Sequence, residues 1–267
     1  MSSLGPVDID RYLARLGLPA PPRPDARSLR ALQAAHLRSV PFENASVLRG
    51  EAIQLHPALL VDRIARAGRG GFCYQLNGAF AALLAALGYP VAHLPARFHG
   101  DRLEPRFGHL ALRVIADDEP WLVDVGAGYS FREPLRLIDG LEQDDPGGRF
   151  RIVVAQPAPD DGPNVRDVEW RHRDGVFRPH YRFEAGAAPL RAFQATCDWT
   201  RTSRDSPFTG DWIATVTTPR GWATLDGRRL RVTGTDDQNT DTTLDDDPAF
   251  ETALERWFGI RPVGIGA

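Results

Sequence analysis

The chain has 267 residues, 42% hydrophobic and 25% charged, with a formal net charge of −3. That composition is ordinary for a globular protein and leaves no electrostatic footprint for nucleic acid. Two cysteines, Cys73 and Cys197, are too few for a disulfide-rich secreted scaffold, and no Cys/His spacing fits a zinc site, so no metal is expected.

The opening MSSLGPVDIDRYLARLGL has neither a basic n-region nor an apolar h-region. The longest apolar run, Ala79 to Leu87, is far too short to span a bilayer. The expectation is a cytoplasmic protein with reduced thiols and no membrane partner. A first short helix is predicted over Asp8 to Leu16, followed by the proline-rich connector LPAPPRP. A second runs from Asp25 to Ser39 and stops at Pro41, and a third covers His56 to Ala67. The fourth starts at Cys73, with Leu76, Phe80, Leu83, Leu84 and Leu87 in helical period, and ends at Gly88-Tyr89-Pro90.

From Val91 the period changes to two. VAHLPARF, FGHLALRVI, WLVDVG, FRIVVAQ, DVEWRHR and VFRPHYRFE read as strands. The polar segment CDWTRTSRDSPFTGD leads to three more, WIATVTT, GWATLDG and RRLRVTG. The acidic loop TDDQNTDTTLDDD precedes a last helix, capped by Asp247 and stopped by Gly259. Helices first and strands afterwards indicate an α+β fold.

RGGFCYQLNG raises the question of chemistry. A cysteine at a helix N-terminus sits by backbone N–H groups and the positive end of the helix dipole, which stabilise a thiolate. Arg69 adds a cation, and Gly70 and Gly71 allow a sharp turn and close approach to a ligand. Backbone N–H groups at that turn could also meet a developing oxyanion. The acid/base partner is expected from FGHLALRVI, which holds His109, and an orienting carboxylate from WLVDVGAG, which holds Asp124. The short connector ADDEP predicts an antiparallel hairpin. A register that sets His109 opposite Asp124, or shifted by two into a diagonal pair, puts both on one face; the intervening register separates them. Asp124, His109 and Cys73 then form a candidate triad. Singly, each has a plain structural reading: a packed thiol, a satisfied strand histidine, a turn aspartate. Cys197 lies outside any motif and is read as a packing residue.

Several separated stretches together resemble the arylamine N-acetyltransferases. HLRSVPFEN resembles that family's H-x-x-x-[IV]-P-F-E-N signature, and RGGFCYQLNG its nucleophile motif. FGHLALRV and WLVDVGAGYS resemble its histidine and aspartate segments, and YRFE, DWTRTSRDSPF and TVTTPRGWATLDG its later landmarks. The resemblance implies a helical bundle, an antiparallel β-barrel and an α/β lid around a papain- or transglutaminase-like core. The corresponding segments are residues 1–90, 91–200 and 201–267. It implies ping-pong transfer of an acetyl group from acetyl-CoA, through acetyl-Cys73, to an aromatic amine or hydrazine, in a monomer or homo-oligomer. It places Phe42 and Ala127 at the acceptor pocket and Gly126, Gly128 and Thr218 near CoA. Glu43 is expected to pair with Arg69. Ala127 stands where many relatives have phenylalanine, which predicts a wider acceptor site or another acyl donor. Three alternatives stay open: an amide synthase closing ansamycin-type macrolactams with the same triad, a thiol hydrolase or peptidase, and a non-catalytic binding module.

Overall fold

The computed structural model describes residues 5–19, 23–99, 106–172, 174–234 and 239–261. Five helices come first: α1 (Pro6–Arg15), α2 (Ala26–Ser39), α3 (Ala45–Leu48), α4 (Pro57–Ala65) and α5 (Cys73–Ala86), with a short strand β1 (Phe42–Glu43) between α2 and α3. Local chemistry sets their ends. Pro6 and Pro57 occupy first turns, where a missing N–H costs nothing. The Asp25 carboxylate accepts from Ser28 N at 2.8 Å and caps α2. α5 is apolar nearly all round, and such a helix belongs in the middle of a core. Gly78 lets α4 approach it, since a Cβ there would stand 2.6 Å from Leu60 Cδ1.

Eight antiparallel strands follow: β2 (Val91–Phe98), β3 (His109–Ala116), β4 (Glu119–Val123), β5 (Leu135–Arg136), β6 (Gln143–Asp145), β7 (Gly148–Val154), β8 (Val165–Arg171) and β9 (Phe177–Glu184). They form one sheet in the order β5-β4-β3-β2-β9-β8-β7-β6. Its two edges meet through a side chain: Gln143 bonds both the N–H and the C=O of Arg136, at 2.7 and 3.1 Å, and nearly closes a barrel. β3 is buried on both faces. Leu110, Leu112 and Val114 pack in the helical core, while Ala111 joins Phe150, Tyr181 and Phe183 inside the barrel.

A 3-10 turn (Leu190–Phe193) and α6 (Gln194–Thr202) lead to β10 (Ile213–Thr218), β11 (Gly221–Asp226), β12 (Arg229–Gly234), β13 (Thr240–Thr243) and α7 (Asp247–Phe258). These strands and β1 make a second sheet, β1-β10-β11-β12-β13. α7 covers one face through Phe250, Leu254 and Phe258 against Ala214, Val216 and Leu225.

The α+β class expected from the sequence is the one observed. Some elements differ in detail. α6 lies in the stretch read as merely polar, because its buried stripe is Thr196, Cys197 and Thr200. β13 falls in the expected acidic loop: it is exposed throughout and held by ion pairs from Arg229 and Arg231 to Asp241. Residues 235–238 of that loop, and residues 20–22 of the proline-rich connector, lie outside the described residues. The last helix is capped by Asp246, which accepts from Ala249 N at 2.8 Å, so Asp247 is its first residue and not its cap. Neither Cys73 nor Cys197 is in a disulfide, and no described helix is long and apolar enough to cross a membrane.

Candidate active site

The turn before α5 is tied down from two sides. Glu43 N donates to Gly71 O at 2.9 Å, zipping the turn to β1, and Arg63 Nε donates to Gly70 O at 2.6 Å. A Cβ on Gly70 would stand 2.2 Å from Pro41 O, so no side chain fits there. The expected Glu43–Arg69 pair is corrected. Glu43 is buried and binds Arg63 (3.0 Å) and Ala45 N (2.5 Å), whereas Arg69 reaches Glu51 (2.9 Å) and Ser46 Oγ (3.1 Å). Gly70 is pressed against Pro41 and Glu43 Cγ. That leaves the inner position to Arg63, reaching in from α4, and sends Arg69 to the outer side.

Cys73 opens α5 and is buried. Phe72 before it is extended, and its N–H is accepted by Gln75 Oε1 at 3.3 Å, the back-reaching half of a capping box. Phe72 has no acceptor to supply the other half.

The β3–β4 hairpin turns at Asp117 and Asp118, both left-handed with φ of 51° and 61°. This is the two-residue turn whose twist suits a hairpin. It pairs Leu112 with Val123 and Val114 with Trp121. In that register Asp124, just past β4, is diagonal to His109 on the barrel-facing side. His109 Nε2 donates to Asp124 Oδ2 at 2.7 Å, and both side chains are almost fully buried. His109 Nδ1, the other ring nitrogen, is also buried and has no hydrogen-bond partner among the described residues. The Phe98 and Tyr181 rings pack on the imidazole, 4.9 and 5.3 Å between centroids.

Asp124 Oδ1 takes two more bonds, from Asn77 Nδ2 and Gly126 N, each 2.8 Å. Burial pushes the Asp124 carboxyl up. The His109 charge and the bonds from His109, Asn77 and Gly126 outweigh it and hold the group below the usual carboxylate range. Gly126 then lies directly on α5: a Cβ there would be 2.7 Å from both Cys73 Cα and Asn77 Nδ2. The structure thus brings Cys73, His109, Asp124 and Gly126 into one buried cluster. Sequence reasoning gave Asn77 no role, although it closes the motif-like run RGGFCYQLN, one helical turn after Cys73.

Phe42 and Gly128 meet beside this cluster, with Ala127 between Gly126 and Gly128 in the chain. Gly128 is left-handed, with φ of 69°, and a Cβ on it would be 3.9 Å from Phe42 Cγ. Ala127 is half-buried. Phe208, also missed, packs on both Phe42 and Phe72 with centroids 5.9 Å apart. Thr218 is not part of this group. Phe42 faces Thr215 across β10, and Thr218 alternates onto the α7 face, in a cavity of about 380 Å³ lined by Arg220, Val232 and Trp257. Beyond Gly128 a groove of about 730 Å³ is lined by Tyr129, Trp170 and Trp222.

Known proteins share this chain's sequence and shape. A family model described as N-acetyltransferase matches residues 25–263. The arylamine N-acetyltransferase pineal gland isozyme NAT-3 of Gallus gallus is 31% identical over 245 residues, covering 84% of this chain and 82% of that protein. The arylamine N-acetyltransferase of Mycolicibacterium smegmatis is 32% identical over 234 residues, covering 85% and 82%. Among solved structures, the Salmonella typhimurium arylamine N-acetyltransferase superposes with a TM-score of 0.86 at 28% identity, over 100% of this chain and 96% of that one. The Mycobacterium marinum enzyme, solved in complex with CoA, gives 0.86 at 28% identity over 97% and 95%.

Proposed function

This chain belongs to the arylamine N-acetyltransferase family, and from that premise we propose that it transfers an acetyl group from acetyl-CoA to an arylamine through acetyl-Cys73. Cys73, His109 and Asp124 carry the reaction. The observation that supports this most is the buried His109–Asp124 pair, whose unpartnered Nδ1 lies in the same cluster as the Cys73 turn. With Nε2–H committed to Asp124, Nδ1 holds the lone pair and is the basic nitrogen.

The Cys73 thiol gives its proton to His109 Nδ1. Asp124 stabilises the resulting imidazolium, and the start of α5 stabilises the thiolate. Cys73 Sγ attacks the thioester carbonyl. Its new C–S bond replaces the bond to CoA, and the leaving thiolate takes the proton from His109. In the second half the amine nitrogen attacks the acetyl carbon, the bond to Cys73 breaks, and the amine's proton passes to His109. The thiolate–imidazolium pair is thereby restored. One thiol ester replaces another in the first half, so that step is close to balanced. Burial of Cys73, His109 and Asp124 keeps water from the acetyl-enzyme. Residues 1–90 would supply the nucleophile, 91–200 the base and carboxylate, and 201–267 the cover.

Incubation with acetyl-CoA should add one acetyl group to the peptide containing Cys73, and an arylamine should remove it as the N-acetyl product. Cys73→Ala should abolish both. Loading by a long-chain acyl thioester but not by acetyl-CoA would instead indicate the amide synthase. Release of the acyl group to water without an amine would indicate a hydrolase.

A further inference from the structure

We propose that Asn77 is a positioning residue that fixes the nucleophile's helix against the imidazole–carboxylate pair. The proposal rests on the transferase reading for its purpose, but not for its test. Asn77 is completely buried, and each of its polar atoms is used. Nδ2 donates to Leu110 O at 2.6 Å and to Asp124 Oδ1 at 2.8 Å, and Oδ1 accepts from Val125 N at 3.0 Å. Those partners settle which end of the amide is which: reversing it would set an oxygen against a carboxylate and a carbonyl, and a donor against an N–H.

The partners flank the pair itself. Leu110 follows His109 and Val125 follows Asp124, so one side chain from α5 grips the backbone beside both. Asp124's oxygens are divided between duties, Oδ2 for His109 and Oδ1 for Asn77 and Gly126. Asn77 also stands four residues after Cys73 on the same face of α5, a rigid separation of about 6 Å along the axis. The route from nucleophile to base is therefore one helical turn and two short hydrogen bonds, 2.8 and 2.7 Å. Without Asn77, the Tyr74 hydroxyl's bond to Phe107 O, at 2.7 Å, would be left to back apolar packing in setting the height of Cys73 against His109. A misplacement of about 1 Å can cost on the order of a hundredfold in rate.

The readout is the pH profile of Cys73 alkylation by iodoacetamide, which needs neither acetyl-CoA nor amine. A thiol paired with an imidazole stays reactive well below the ordinary thiol range. Asn77→Ala should shift the profile upward, lowering the rate at pH 6.5 by about tenfold or more. Leu83→Ala, which opens a cavity on the same helix away from the pair, should lower the melting temperature and leave the profile in place. Asn77→Ser, with less volume removed, serves if the alanine variant does not fold. A wild-type profile in the Asn77 variants overturns the proposal, as does an equal shift in Leu83→Ala. Failure of acetyl-CoA to load the wild-type thiol would count against the transferase reading and leave this comparison intact.

Discussion

Gly126 is where the site tolerates least. A methyl group there would overlap both Cys73 Cα and Asn77 Nδ2. Backbone cannot yield as a flexible side chain can, so Gly126→Ala should move the loop away from α5. We expect acetyl loading of Cys73 to fall by about a hundredfold, with far-UV circular dichroism unchanged; loading within a fewfold of wild type would show that the contact is slack. At this scale the legible residues were those whose chemistry is tied to local geometry. Cys73 stood at a recognisable helix start, and His109 and Asp124 were linked by a hairpin too short to leave many registers. Asn77 and Phe208 were illegible for the opposite reason. Their partners come from other parts of the chain, and neither residue type signals a role by itself. The Glu43–Arg69 expectation erred similarly: two motif charges were matched to each other, while Arg63, in no motif, had the shorter approach.

Among the elements, β1 and the segment that follows are the join between the helices and the second sheet. Asn44 makes that join with one side chain and its own N–H. Nδ2 donates to Phe208 O and Asp211 O at 2.9 and 2.7 Å, Oδ1 accepts from Ile213 N at 2.8 Å, and Asn44 N donates to Ile213 O at 3.2 Å. Asn44→Ala loses three of these bonds and should cost about 2–4 kcal/mol in urea unfolding. Hydrogen exchange should rise between residues 208 and 213 before it rises in the barrel; uniform exchange would deny the join its local role. Elements with a strong period were readable, as α2, α5 and most of the barrel strands show. β5, β6 and β13 carry too few residues, or too little apolar alternation, to announce themselves. α6 hides its buried side in threonine and cysteine.

For the molecule as a whole, buried imidazoles set the response to acid. Burial, with some help from the Arg15 charge, pushes His36 down to about 3, and burial pushes His93 and His180 to about 4. Below about pH 6.5 the unfolded chain takes up protons that these folded imidazoles refuse, so stability falls as pH falls. Asp145 works the other way. Desolvation raises it to about 6 despite bonds from the Arg132, Gly147 and Glu133 N–H groups, so the folded chain keeps a proton there. Between pH 6 and 5, three imidazoles against one carboxyl leave about two protons, or roughly 3 kcal/mol lost per pH unit. Urea titrations at pH 7, 6 and 5 measure that slope, and a flat profile would refute it.

The pairing of β1 with β10 carries a consequence for how the enzyme comes into being. Phe42 and Glu43 leave the ribosome well before Thr215 and Ala214, their neighbours in the finished sheet, which are translated about 170 residues later. The glycine turn that presents the thiol is laced to that same early strand. A nascent chain therefore carries Cys73 beside a strand whose sheet partners are still to come, and that side of its cradle stays open until they are made.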